Sequence, residues 1–304
     1  MTLPRCTLIN ASCTPYYHCV SRCVRRAFLC GRDARTGYDF EHRRAWIEKR
    51  LLWLSQVFAI DICAYAVMSN HYHVVLHINS ADQKSWSDTE VVERWQRLHR
   101  LPQDFGAADE QTRAHGIRLW RERLGSVSWF MKSLNEPLAR LANKEDGCKG
   151  RFWEGRFRSQ ALLDEAALVK CMAYVDLNPI RAGIAVTPEN SDHTSIKARL
   201  EGRDRALASL ADAPNVERFR LPVRSVDYLE LVDWTGRRYQ AGKRGRIDGT
   251  LPPIVERLQR SCRRLFMDEM RHLSRHYFRA IGQAGSLRKY RDYLGQSRLK
   301  GLLS

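Results

Sequence analysis

The chain predicts an α+β fold: a split β-α-β sheet with helices on one face. Residues 16–24, 61–68 and 71–78 are rich in β-branched and aromatic side chains, the composition of strands. Residues 41–58 place Trp46, Ile47, Leu51, Leu54 and Phe58 near helical spacing. Read in order, the elements run strand, helix, strand, strand, helix, strand, helix.

The first strand is carried by Tyr16-Tyr17-His18-Cys19-Val20-Ser21-Arg22-Cys23-Val24. Between the second and third strands, Ser69-Asn70 is a short polar turn signal, so the two form an antiparallel hairpin. Residues 80–124 turn polar, with Trp86, Trp95 and Trp120 among them, and read as a helical insertion. A helix follows over 126–143, with Pro137 as a candidate kink. Residues 151–163 include the fourth strand. Asp164 is a good N-cap, and Glu165 sits at the positive end of the helix that follows. Leu168, Cys171, Met172 and Val175 form its apolar stripe. Pro179 ends it near Asn178, and Gly183 closes the turn. The organisation predicted is a first domain over 1–188 and a basic, mostly helical region over 189–304. The latter has a glycine-bearing loop at Gly242, Gly245 and Gly249.

Composition narrows the partners. The 304 residues carry 51 Lys and Arg against 34 Asp and Glu, a formal charge of +17, which favours polyanions. Nucleic acid is the expected partner, with no small-molecule cofactor. No apolar run has the length of a membrane span, and the start lacks the pattern of a signal peptide. Residence in the cytoplasm is the expectation by default. Nine cysteines without a C-x-x-C pair read as buried, reduced thiols. Monomer and dimer both stay open.

Chemistry concentrates at two places. His71 and His73 point the same way from one strand, so both imidazoles can reach one cation. His77 shares that face but lies about 13 Å further along, too far for the same ion. Tyr174 and Asn178 stand one helical turn apart, offering a hydroxyl nucleophile beside a side-chain amide. Lys170 lies a further turn back. Residues 149–158 interleave cations with aromatics, a pattern that suits phosphates and unpaired bases. The candidate DNA contacts are Arg22, Lys132, Arg151, Arg156, Arg158, Lys170 and Arg181; Arg181 could instead cap a helix end. Arginines from Arg257 to Arg279 suggest one broad helical face.

Four ordered blocks then resemble a known family. They are Tyr17-His18-Cys19-Val20-Ser21-Arg22, the run from Tyr65 to His73, the run from Gly150 to Arg158, and the run from Tyr174 to Gly183. The chain resembles the REP-associated tyrosine transposases, single-tyrosine members of the HUH endonuclease superfamily. The resemblance implies a ferredoxin-like palm with an antiparallel sheet. It implies that His71, His73 and Asn178 bind Mg²⁺ or Mn²⁺. It implies that Tyr174 attacks a single-stranded DNA phosphate beside a REP hairpin, giving a 5′-phosphotyrosine and a free 3′-hydroxyl. Two imidazoles suit Mn²⁺ better than Mg²⁺, which prefers oxygen. The 80–124 insertion and the region beyond 190 are longer than in minimal family members. The alternatives are a domesticated, non-cleaving hairpin-binding protein, and an HUH relaxase or replication initiator.

Overall fold

The computed structural model describes residues 8–24, 29–32, 37–213, 219–238, 242–247, 280–296 and 301–303. Strands β1 (Tyr16–Arg22), β2 (Ile60–Val67), β3 (His71–Ile78) and β4 (Arg158–Leu162) form an antiparallel sheet in the order β2-β3-β1-β4. That order, with β2 and β3 joined as a hairpin, is the split β-α-β arrangement expected from sequence. Two short strands, β5 (Ala280–Gly282) and β6 (Gly301–Leu303), extend the β4 edge in parallel.

Both faces of the sheet are covered, whereas the sequence predicted helices on one face; the second helical layer comes from beyond β4. Helices α1 (His42–Leu54) and α5 (Val127–Glu145) pack together on one face, and α5 runs through Pro137. Ile47, Leu51, Phe130 and Leu134 there meet Tyr17, Cys19, Tyr65, Tyr72 and Val74. Arg43 of α1 is almost fully buried and bonds Glu145 at 2.6 Å and Asp146, latching α1 to the end of α5. The segment expected to be a helical insertion holds α2 (Ser80–Ser85), α3 (Asp88–Gln96) and α4 (Glu110–Leu124). Its tryptophans serve packing: the rings of Trp95 and Trp120 stack at 5.7 Å.

The opposite face belongs to α6 (Glu165–Asp176). Leu168, Cys171, Met172 and Val175, the stripe predicted from spacing, pack on Ala64, Ala66, Val75 and Leu162. This covering explains why β2 and β3 read as nearly continuous apolar runs rather than alternating ones. A bulge between Ile62 and Ala64 shifts the pattern within β2. The single predicted helix is interrupted at Leu177, and α7 (Asn178–Arg181) follows at once, with Pro179 as its second residue. Gly183 then turns the chain at φ +71°.

Beyond it, α8 (Ser195–Leu200) and α9 (Ser225–Arg237) join the α6 core, and α10 (Ala284–Tyr293) follows β5. Asp176 ties these parts together. It accepts from Ser195 Oγ at 2.5 Å, Ile196 N at 3.0 Å and Tyr228 Oη at 2.6 Å. Five of the expected buried cysteines are buried (Cys19, Cys23, Cys30, Cys63 and Cys171), while Cys148 is exposed; all described cysteines are free thiols. Among the described residues no helix is long and apolar enough to cross a membrane. The arginine run 257–279, like Gly249, lies outside the described residues.

Candidate active site

Strand alternation sends Tyr72 and Val74 into the α1/α5 core and turns His71 and His73 toward α6. The two imidazole rings lie 4.9 Å apart. The ring of Tyr174, near the end of α6, stands edge-on to His73 at 5.8 Å and to His18 of β1 at 6.1 Å. The late helix therefore returns to the third strand and brings its phenol beside the paired imidazoles. Asn178 follows one turn on, buried, with Nδ2 donating to Tyr174 O at 3.0 Å; this commits the amide nitrogen and leaves the oxygen as its acceptor end. His77, on the same face, is engaged elsewhere: it bonds Asp61 at 3.0 Å and stacks on Phe219 at 3.6 Å.

The electrostatics favour neutral groups. Burial pushes His71 down to about 4, with Arg22, Lys243 and His18 adding to the effect. Burial holds His73 well below the ordinary imidazole range, and the charges at His71, His18, Arg22 and Lys243 push the same way. His18 is likewise lowered to about 4, chiefly by burial. The Tyr174 phenol is pushed up to about 12 by burial, against lowering by Asn178 and Arg22.

Two observations fit the donors to a divalent cation. His71 Nδ1 lies 2.5 Å from Asn70 Oδ1, a carbonyl that only accepts, so the ring hydrogen sits on Nδ1 and the lone pair on Nε2. His73 Nε2 is buried with no hydrogen-bond partner. Among the described residues no group of three or more His, Cys, Asp or Glu side chains is placed to hold a metal. Any such site has two imidazoles and must complete its shell with amide or solvent oxygen.

The candidate cations divide by position. Arg22 is exposed at the end of β1 and pairs in register with His71. Residues 152–154 zip onto that end of β1, through Val24 N to Phe152 O at 2.9 Å and Glu154 N to Arg22 O at 2.8 Å. Arg151, Arg156 and Arg158 are exposed along the same segment, Arg158 in register with Val20. Lys132 is exposed on α5, across the sheet from the imidazoles, with its ammonium over the Trp129 ring at 4.8 Å. Lys170 is buried within α6. Arg181 is buried too: its guanidinium donates to Thr235 O at 2.6 Å and Arg238 O at 2.8 Å. It thus clamps the end of α9, the helix-end role left open by the sequence.

Sequence reasoning passed over Gln160 and Lys243, named Asn70 only as a turn residue, and named His18 only within a motif. Lys243 is half-buried in a segment docked on α7 and α9, where Arg244 N donates to Arg181 O at 3.2 Å and Ile247 N to Gly236 O at 2.7 Å. Gly245 passes so close that a Cβ there would meet Ile180 O at 2.1 Å. The glycines of 242–249 were the only signal for this approach.

No family model and no curated protein matches the chain. A solved structure described as "Structure of the REP associates tyrosine transposase bound to a REP hairpin" is similar at 14% identity and a TM-score of 0.33, covering 67% of this chain and 88% of that chain.

Proposed function

We propose that this chain is a metal-dependent single-stranded DNA endonuclease and strand transferase of the single-tyrosine HUH type, acting beside hairpin repeats. One observation carries the reading: the Tyr174 ring lies 5.8 Å from that of His73, which is itself 4.9 Å from His71. The four ordered sequence blocks and the charge of +17 support the same reading. Tyr174, His71 and His73 meet within one chain.

His71 and His73 through Nε2, and Asn178 through its amide oxygen, would hold Mg²⁺ or Mn²⁺, which when bound polarises the scissile phosphate. Tyr174 Oη attacks phosphorus; the new O–P bond forms as the P–O3′ bond breaks, and the phenol proton ends on the departing 3′ oxygen. The ester keeps the bond energy, so a 3′-hydroxyl attacking in reverse rejoins strands without ATP. Arg22, whose charge favours the Tyr174 phenolate and which pairs in register with His71, would meet the scissile phosphate. Arg151, Arg156 and Arg158 extend the cationic edge for the strand.

The test is a nicking assay on an end-labelled hairpin oligonucleotide in MnCl₂. Wild type yields a cut strand and a protein–DNA adduct on denaturing gels. Tyr174→Phe keeps hairpin binding and loses both products, and an adduct that persists removes Tyr174 from the mechanism. One observation favours a non-cleaving hairpin binder: the burial that pushes the Tyr174 phenol up to about 12. Tight binding by wild type with no cleavage in MnCl₂ selects that reading.

A further inference from the structure

We propose that Gln160 and His18 form a hydrogen-bond relay that fixes His73 as its Nδ1–H tautomer, making both of them positioning residues for the His73 Nε2 lone pair. Gln160 of β4 and His18 of β1 pair in register, and Gln160 Oε1 lies 3.3 Å from His18 Nδ1. A carbonyl oxygen only accepts, so His18 carries its hydrogen on Nδ1 and its lone pair on Nε2. That Nε2 lies 2.9 Å from His73 Nδ1, and an acceptor there places the His73 hydrogen on Nδ1. The remaining His73 nitrogen, Nε2, is left with a lone pair. It is buried and bonds nothing in the protein.

The rings are held for this purpose. They stack at 5.2 Å and 15°, reaching diagonally across the β1–β3 ladder, where the direct partner of His73 is Val20. Gln160 Nε2 is itself buried without a partner, so among the described residues this amide bonds through its carbonyl end, to His18. The opposite proton order would leave an N–H on His73 Nε2 with nothing to receive it. His71 reaches the same state through Asn70, so both imidazoles of the strand direct a lone pair from Nε2. Metal-binding imidazoles commonly have their other ring nitrogen fixed in this way. The relay is a property of the metal-free protein; its purpose, offering a lone pair to a divalent cation, rests on the function proposed above.

Two measurements test it. Long-range ¹H–¹⁵N spectra of histidine-labelled, metal-free protein at pH 7 report which ring nitrogen of His73 is protonated. MnCl₂ titration by calorimetry reports affinity. Wild type should show His73 protonated on Nδ1 only. Gln160→Leu should mix the tautomers and weaken Mn²⁺ binding by about 10–100-fold. His18→Gln, which keeps an acceptor for His73 Nδ1–H, should hold the tautomer and most of the affinity. A proton on His73 Nε2 in wild type overturns the relay without any variant. So does an unchanged tautomer in Gln160→Leu. The expected tautomer in a wild type that takes up no Mn²⁺ supports the relay and overturns the metal reading of the function.

Discussion

His18 shows how one buried imidazole shapes behaviour in acid. Its folded value is about 4 against the ordinary 6.5, chiefly through burial. Above 6.5 both folded and unfolded chains hold it neutral. Between 6.5 and 4 the unfolded chain takes up a proton that the folded chain refuses, so stability falls as pH drops through that window. Below about 4 the folded ring protonates too and this contribution levels off. Urea melts at pH 7, 6 and 5 should record the decline, and His18→Gln should make it shallower, leaving the parts owed to His71 and His73; an equal slope in the variant contradicts the assignment. Lys243 acts on the same imidazoles from a segment far along the chain. Lys243→Met should raise the His71 pKa, read by NMR, and reduce the salt slope of hairpin binding by about 1 if the ammonium meets a phosphate. The pair His71/His73 was legible because alternation along a strand is a local rule. The burial of Lys170 and Arg181 was not, because it depends on what α6 and α9 pack against.

The carrier of the proposed nucleophile is α6, and its start was written in the sequence. Asp164 Oδ1 accepts from Ala167 N at 2.7 Å, while Oδ2 accepts from Gln283 N at 2.9 Å, so the cap also holds the chain beyond β5. Asp164→Ala should cost about 1 kcal/mol of stability in chemical denaturation, the usual worth of an N-cap. A loss indistinguishable from zero would mean that packing alone sets the helix start. The far end was less legible. Pro179 marked a boundary, but α7 resumes helical geometry at Asn178, so the amide belongs to a new short helix. Strands β5 and β6, three residues each, carry no periodic signal and exist through pairing alone.

Across the molecule, a sheet covered on both faces holds the site at the junction of β1, β3 and α6. The α1/α5 core fixes one side of β3, and the α6/α9 core fixes the other. The stretch after residue 188, read from sequence as a separate basic region, contributes α8, α9 and Lys243 to the α6 side. Composition could announce its charge but not this packing, because long-range contacts leave no local pattern. The most direct test of the account is to trap wild-type protein on a hairpin oligonucleotide in MnCl₂, digest it, and map the DNA-linked peptide by mass spectrometry. The account predicts a phosphodiester link at Tyr174 and nowhere else. A link at another tyrosine, or cleavage that proceeds without any protein-linked DNA, would contradict it.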